Sequence, residues 1–527
     1  MRLEVLFILL ITLLILSGCS QIEEGKVSKE AKKISLVEIP PTKKKVGIPE
    51  SLFPPKFSWR LFKGTERSDL YYASFIPRKP EVEFKVAVKP NFGGRLSTPI
   101  VFEDLVLISD SKVLYAYSRE DGKLEWMWSY DSERDIKAYG AGESIYAAIF
   151  KTYPGERYDL ILVALDGRGS KLWESKVNSE RVNFATVLLV AEGKVFVGTV
   201  NGFIYCFSEG GDFLWQRKVG GIVRGLAYGE GTLFATSEAK REIFAFDTRG
   251  DLKWMRNTGG EAGTLLYSKG QVLLVSASHL LCFSKDGELL WKKDLGAGTD
   301  VNKNSLLSAG KSIYVARMVG EKPLSLHILN SEGGEVGKFL VQMDENPGIP
   351  IATEDIVLLP VTKYNEYSKL YFLWRGGEKV YELMVEAEET FQPRVSVDEG
   401  EIFVVFSINR TDGYLYKLSD WEEPLIKDVK AEIRNDSLLI TSILHDPKSS
   451  IYRAFVFYSI DGEWKISEMF PARRYIIEPI GGYGFGEEPY ETRIDVKPSS
   501  TVEFYILAID KVGNYRLSQN SAYRIST

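Results

Sequence analysis

Cysteine and histidine are nearly missing from this sequence, with three of each in 527 residues. That nearly excludes a Cys/His zinc site and excludes a disulfide framework. No two cysteines are adjacent. Glutamine is also scarce, at six residues, while Lys and Glu are abundant, a bias shared with hyperthermophile proteins. Positive charge is not in excess. The net charge is −6 and is unchanged by loss of residues 1–18, which gives no support for nucleic-acid binding. The glycine run Gly481–Gly486 lacks the strand-to-helix context and the lysine of a phosphate loop. There is no Gly-x-Ser-x-Gly elbow and no Asp-x-Asp-x-Asp-Gly calcium loop. The pairs Glu388-Glu389 and Glu487-Glu488 carry no positioning signature and read as solvated faces. On these grounds no catalytic, cofactor-binding or metal-ligating residue is assigned.

What remains is an ordinary globular composition: 44% hydrophobic, 26% charged and 12% aromatic. Apolar content this high excludes global disorder. The 46 glycines, 27 tyrosines and 28 phenylalanines lean toward β structure with many turns.

The first apolar run, Val5 to Leu16, is broken only by Thr12 and has the length of a signal-peptide core, short for a membrane span. No later segment is long enough to span. The run ends Leu16-Ser17-Gly18-Cys19, which resembles the lipobox of bacterial lipoproteins, also used by some archaea. The resemblance implies cleavage after residue 18 and lipidation of Cys19. Two or three acyl chains on that residue would give stable anchoring. Residues 1–18 therefore read as a lipoprotein signal peptide. Residues 19–56, polar and Lys-rich with Pro40-Pro41 and Lys43-Lys44-Lys45, read as a flexible tether.

Internal repeats decide the central fold. Four segments superpose: 105–126, 194–215, 232–254 and 271–291. Each is an alternating apolar run, a short turn, a second run, a glycine turn, then Trp. Turn glycines recur at Gly122, Gly169, Gly211, Gly250, Gly287, Gly334 and Gly377, at intervals of 37 to 47 residues. Trp126, Trp173, Trp215, Trp254 and Trp291 each follow four residues after the first five; Lys338 and Tyr381 stand there after the last two. Period-two alternation gives two-faced strands, and Asp-Gly and Gly-Gly suit tight hairpins. Small sheets of this kind bury their faces by stacking radially, which is a β-propeller. The five tryptophans are then structural anchors packed between blades.

The repeat Leu114-Tyr115-Ala116-Tyr117 through Gly122 to Trp126, with Ser97-Thr98-Pro99-Ile100-Val101 upstream, resembles the PQQ-type (quinoprotein-like) propeller repeat. The stretch Trp59 to Gly64 resembles the lead-in of that family. The resemblance spans roughly residues 57–420. Glu81 to Val86 reads as an orphan fourth strand, with Phe84 at the Trp position, 42 residues before Trp126. The last repeat, 401–421, lacks such a strand. The N-terminal strand is therefore expected to close the ring, giving eight blades, or seven if the weak repeats near 300–385 merge. The propeller is placed at 57–424.

From 425 to 527 the pattern changes to evenly spaced short strands. Asp461-Gly462 and Asp510-Lys511-Val512-Gly513-Asn514 form turns, and Glu503 to Asn514 resembles a late strand of fibronectin type III/Ig-like modules. An Ig-like β-sandwich is expected, and the fold class is all-β throughout.

The family resemblance implies several functions. In alcohol-oxidising quinoproteins PQQ sits on adjacent, disulfide-bonded cysteines. That pair is absent here, so PQQ is not assigned. Cys206 and Cys282 occupy one register in different repeats and read as small core residues. His279, His327 and His445 qualify as a dehydrogenase base by residue type alone. Loop residues Tyr153, Tyr364, Tyr367 and Tyr483 are candidates for stacking on sugars. Asn409 and Asn435 lie in glycosylation sequons. The leading expectation is a lipid-anchored extracytoplasmic scaffold binding an envelope protein or glycan, without nucleic acid. A cofactor-binding oxidoreductase and a carbohydrate or cell-wall binder are the alternatives. The barrel-assembly lipoproteins of Gram-negative outer membranes combine a lipobox with this repeat but lack the C-terminal module.

Overall fold

A strand such as Leu105–Ser109 is apolar at nearly every position, so both of its faces must leave water. Radial stacking achieves this. Leu107 joins the core shared with the following blade, while Val106 and Ile108 join the core shared with the preceding one. The computed structural model describes residues 32–33, 37–39, 48–54, 75–91, 96–131, 135–153, 157–179, 184–277, 279–295, 306–309, 312–317, 325–353, 355–386, 391–409, 411–434, 437–472, 487–497, 501–518 and 522–526.

Eight antiparallel blades form the ring. Blades 1 to 7 occupy residues 100–128, 135–179, 185–218, 223–257, 262–294, 306–340 and 345–386. Blade 8 takes three strands from 394–419 and its outermost strand, Glu81–Val88, from the N-terminal side. That strand pairs with Gly413–Ser419 along its length, so the two ends of the ring are held by one backbone ladder. The weak repeats do not merge: blades 6 and 7 are separate sheets. In blade 7 the first strand is split into Glu345–Pro347 and Ile351–Ala352, both paired with Ile356–Lys363. Each junction between neighbouring blades has its own apolar core, and the cores close the circle.

Where the sequence pattern points to a two-sheet sandwich after residue 424, the strands form one curled sheet of ten. The linking strand is Glu463–Pro471. It pairs with Ile451–Ile460 over most of its length and, at Phe470 and Pro471, with Glu488–Asp495. One strand thus stitches both halves into a continuous surface that curls around Leu438, Ile440, Val456, Phe504 and Ile506. Parts of the stretch read as a flexible tether lie among the described residues. Lys32–Lys33 and Val37–Ile39 extend the two edges of this sheet. Ile48, Leu52 and Phe53 pack over Phe455, Phe457, Leu507 and Ile509 on its outer face. Apolar residues in a polar segment found an apolar face to cover. The lipobox, Cys19 and the Trp59 lead-in lie outside the described residues.

Candidate protein-binding surface

Each blade's fourth strand is its outer edge, and the packing of that strand begins with the repeat glycines. Gly169 has φ +76°, and a Cβ there would sit 2.9 Å from the indole of Trp126 in the preceding blade. The same contact joins Gly211 to Trp173, Gly250 to Trp215, Gly287 to Trp254 and Gly333 to Trp291, at 2.6 to 2.8 Å. Only glycine combines that backbone with so close an approach. The indole N–H then donates to the carbonyl two residues before the glycine: Trp126 to Gly167 at 2.9 Å, Trp173 to Glu209 at 3.0 Å, Trp215 to Thr248 at 3.3 Å, Trp254 to Lys285 at 2.8 Å, Trp291 to Ser331 at 2.9 Å. Glycine, ring and N–H make a clasp between consecutive blades. Phe84 covers Gly122 in the same way, without an N–H to donate.

The clasp also explains the residue opposite each tryptophan. Ala116, Ala164, Cys206, Ala245 and Cys282 pair with the five tryptophans in turn. A large ring on one strand needs a small partner on the next. Cys206 and Cys282 are free, fully buried thiols in blades 3 and 5, each pushed up to about 12 by burial. Inert thiols in separate sheets do not fit the adjacent-cysteine platform of a PQQ site.

The sequence register slips by one residue in blade 6. Gly333, not Gly334, carries the positive φ and meets Trp291. The Trp-equivalent position is therefore Gly337, opposite Ile328, rather than Lys338. Sizes are exchanged there: the large residue moves to the inner strand, and Ile328 Cδ1 reaches to 3.1 Å of the Cβ position of Gly377 in blade 7.

With the ring held from inside, the outward residues of the fourth strands remain exposed. Leu124 and Met127, Phe213 and Leu214, Leu252 and Met255, and Leu289 and Leu290 are each 44 to 55% exposed. Leu124, Phe213, Leu252, Leu289 and Val82 share one position, two residues before the clasp residue. Basic residues such as Arg217, Lys253 and Lys292 interleave with them. The result is a rim of edge strands bearing apolar and cationic side chains, densest over blades 3 to 5. Sheet edges with unpaired backbone groups are natural docking sites for an extended chain, and lysines restrain indiscriminate pairing.

A family model described as outer membrane protein assembly factor BamB matches residues 81–223 and 200–419, more than half of the chain. The chain belongs to this family. Among solved structures, BamB from Moraxella catarrhalis is 15% identical, with a TM-score of 0.44, covering 64% of this chain and all but 1% of its own (99% covered). Sqt1 from Saccharomyces cerevisiae is 11% identical, with a TM-score of 0.47, covering 67% of this chain and 100% of its own. A comparison with curated proteins gave no match.

The remaining sequence candidates do not gather on the family's propeller. His327 is buried in blade 6, where its Nδ1 lies 2.9 Å from Glu335 and its Nε2 3.0 Å from the Ser325 hydroxyl. Burial would raise the Glu335 carboxyl, but the hydrogen bond and charge of His327 bring it below its ordinary value. His279 lies in blade 5 and His445 at the end of a C-terminal strand. Tyr364 is 75% exposed at the tip of a blade 7 hairpin. Its neighbour Tyr367 is committed inward, donating to Glu345 at 3.0 Å. Tyr153 stands on blade 2, and Tyr483 lies outside the described residues. Among the described residues, no helix is long and apolar enough to cross a membrane.

Sequence reasoning missed one group, just past the family-matched region. Asp420 leaves blade 8, Asp446 follows Ser437–His445, and Asp510 ends Thr501–Asp510. All three are buried, and one carboxylate oxygen from each lies within 4.8 Å of the others. Burial, then the charge of Asp446, pushes the Asp510 carboxyl up to about 8, against hydrogen bonds from Asn514 and Gly513. Around them the two modules interlock. The Arg78 N–H donates to Lys448 O at 2.8 Å, Asn514 Nδ2 donates to Asp420 O at 2.9 Å, and Lys511 pairs with Asp355 at 2.5 Å. No spacing signal marks the triad, because its members are 26 and 64 residues apart.

Proposed function

We propose that this chain is a non-catalytic scaffold of the cell envelope, anchored through lipid on Cys19, that holds a protein partner of the outer-membrane assembly type against its propeller rim. Membership of the BamB family over residues 81–419 carries this reading. The rim supports it: edge strands with regularly placed apolar residues suit an extended, apolar and acidic partner segment. The C-terminal sheet serves as a fixed module beside blades 7 and 8, joined by the contacts of Lys448 with Glu81, Lys511 with Asp355 and Asn514 with Asp420. The test places a photo-crosslinking residue at Phe213, Leu252 or Leu289 in the full chain, in envelope membranes. Crosslinks to an outer-membrane assembly protein at these sites, and none at exposed Arg249, are expected. Equal labelling at all four sites would sink the rim assignment. Retention of a Cys19→Ser chain in membranes after a salt wash would sink the anchor.

A further inference from the structure

We propose that Asp420, Asp446 and Asp510 form a divalent-cation site, suited to calcium, that locks the propeller to the C-terminal sheet. Asp420 belongs to the exit of blade 8, and the other two belong to turns of the sheet. A cation bound by all three therefore bridges the modules.

Each carboxylate is already oriented through one oxygen. Asp446 Oδ1 accepts the N–H groups of Lys448 and Ser449, at 2.9 and 2.6 Å. Asp510 Oδ1 accepts those of Val512, Gly513 and Asn514, at 2.7 to 2.9 Å. Asp420 Oδ1 accepts that of Glu422 at 3.0 Å. This leaves the second oxygens for the cluster. Asp510 Oδ2 takes one bond from Asn514 Nδ2, and Asp420 Oδ2 takes one from the Ser449 hydroxyl. Asp446 Oδ2 is buried with no hydrogen-bond partner, on a residue 2% exposed. A buried anionic oxygen without a partner is costly, and a cation at this point satisfies it.

The neighbouring positive charges do not balance the triad. Lys448 is held by Glu81 at 2.5 Å and Glu422 at 2.8 Å. Among the described residues, the buried guanidinium of Arg78 is spread over the charges of Asp355, Asp446 and Glu488. Three carboxylates against that single charge leave room for a divalent ion. An all-oxygen, anionic donor set selects a hard cation. Calcium fits best, since it accepts irregular geometry and protein oxygens, whereas magnesium keeps an octahedral water shell. This inference stands apart from the rim reading, because neither set of residues enters the other.

The test is calorimetric titration of the EDTA-stripped full chain with CaCl2, MgCl2 or MnCl2, alongside thermal unfolding. Saturable binding of one calcium per chain is expected, with a midpoint rise of at least about 3 °C at about 1 mM calcium. Asp446→Asn should lose that rise. In EDTA the variant should unfold at or above the temperature of the parent, because one of three mutually repelling carboxyl groups can no longer ionise. Lack of response to all three ions, or a full calcium shift in Asp446→Asn, overturns the proposal. If the variant does not fold, the parent titration decides alone.

Discussion

Blades 1 to 5 and blades 6 to 8 meet one geometric demand in different ways. Neighbouring sheets must be tied at the outer strand, where the wedge between them is widest. In the first group, counting outward from Trp126 to Trp291, the tie is one apolar clasp repeated five times. In the second it is improvised. Blade 6 exchanges Trp for Gly337 and Ala for Ile328, and blade 7 sets Tyr381 edge-on to Phe372 at 5.2 Å. Blade 7 also buries a polar knot: Glu345 accepts from Tyr371 at 2.9 Å, from Tyr367 at 3.0 Å and from Lys369 at 3.4 Å. At the closure, Phe84 is supplemented by charge. Arg119 of blade 1 pairs with Asp398 at 2.7 Å and Glu401 at 2.6 Å in blade 8, and Lys417 pairs with Glu401 at 2.8 Å and Glu83 at 3.0 Å. Repetition is sufficient for the fold but not required by it. The requirement is a filled wedge, which apolar rings and polar networks both supply.

The comparison can be broken most severely in blade 7. Lys369→Met strips the cation from buried Glu345 and is expected to cost about 3 kcal/mol. Glu345→Gln added to it should restore most of that loss, read by urea unfolding. The apolar clasp should break almost as hard. Gly250→Ala and Gly333→Ala each place a methyl against an indole at positive φ, costing about 2–3 kcal/mol. Gly334→Ala should cost less than about 1 kcal/mol. Equal losses at 333 and 334 would refute the blade 6 register. A smaller effect separates ring from N–H. Trp215→Phe should lose about 1–2 kcal/mol with its bond to Thr248. The reverse change, Phe84→Trp, should cost nothing or stabilise by up to about 1 kcal/mol, by offering an N–H to the carbonyl of Glu120.

The smallest effect is a pH step in the first group. Burial alone would raise Glu174, but Lys176, Lys171 and Tyr130 hold it down to about 2. Its folded value lies below its unfolded one, about 4.3. The stability it contributes is thus present above that value and lost as pH falls from about 4.3 toward 2. Thermal midpoints of Glu174→Gln should therefore fall less steeply over this interval than those of the parent. Parallel curves would show that the tie between Tyr130 and blade 2 carries no charge-dependent stability.

The two groups also differ in how much their residues disclose. Trp126 to Trp291 announce themselves by identity and spacing, and Phe84 is recognisable because it stands one repeat before Trp126. Gly333 and Gly334 are alike to any reader of letters; only backbone conformation tells them apart. Ile328 and Gly337 carry no repeat signal, since the pair conserves volume rather than residue type. The curled C-terminal sheet was readable as strands but not as one sheet, because that depends on two residues at the end of one strand, Phe470 and Pro471.

Local chemistry, then, determined what local chemistry can. Alternation marked the strands, positive-φ turns set their spacing, and a recurrent Trp implied radial stacking with a ring closed by residues 81–88. These follow from sequence because each acts over a few residues and is repeated. Tertiary structure alone decided the rim and the junction. An outward Leu differs from a buried one only by the strand's place in its sheet. Asp420, Asp446 and Asp510 become neighbours only when the sheet closes against blade 8, because the contacts that bring them together span 26 and 64 residues and leave no period in the chain.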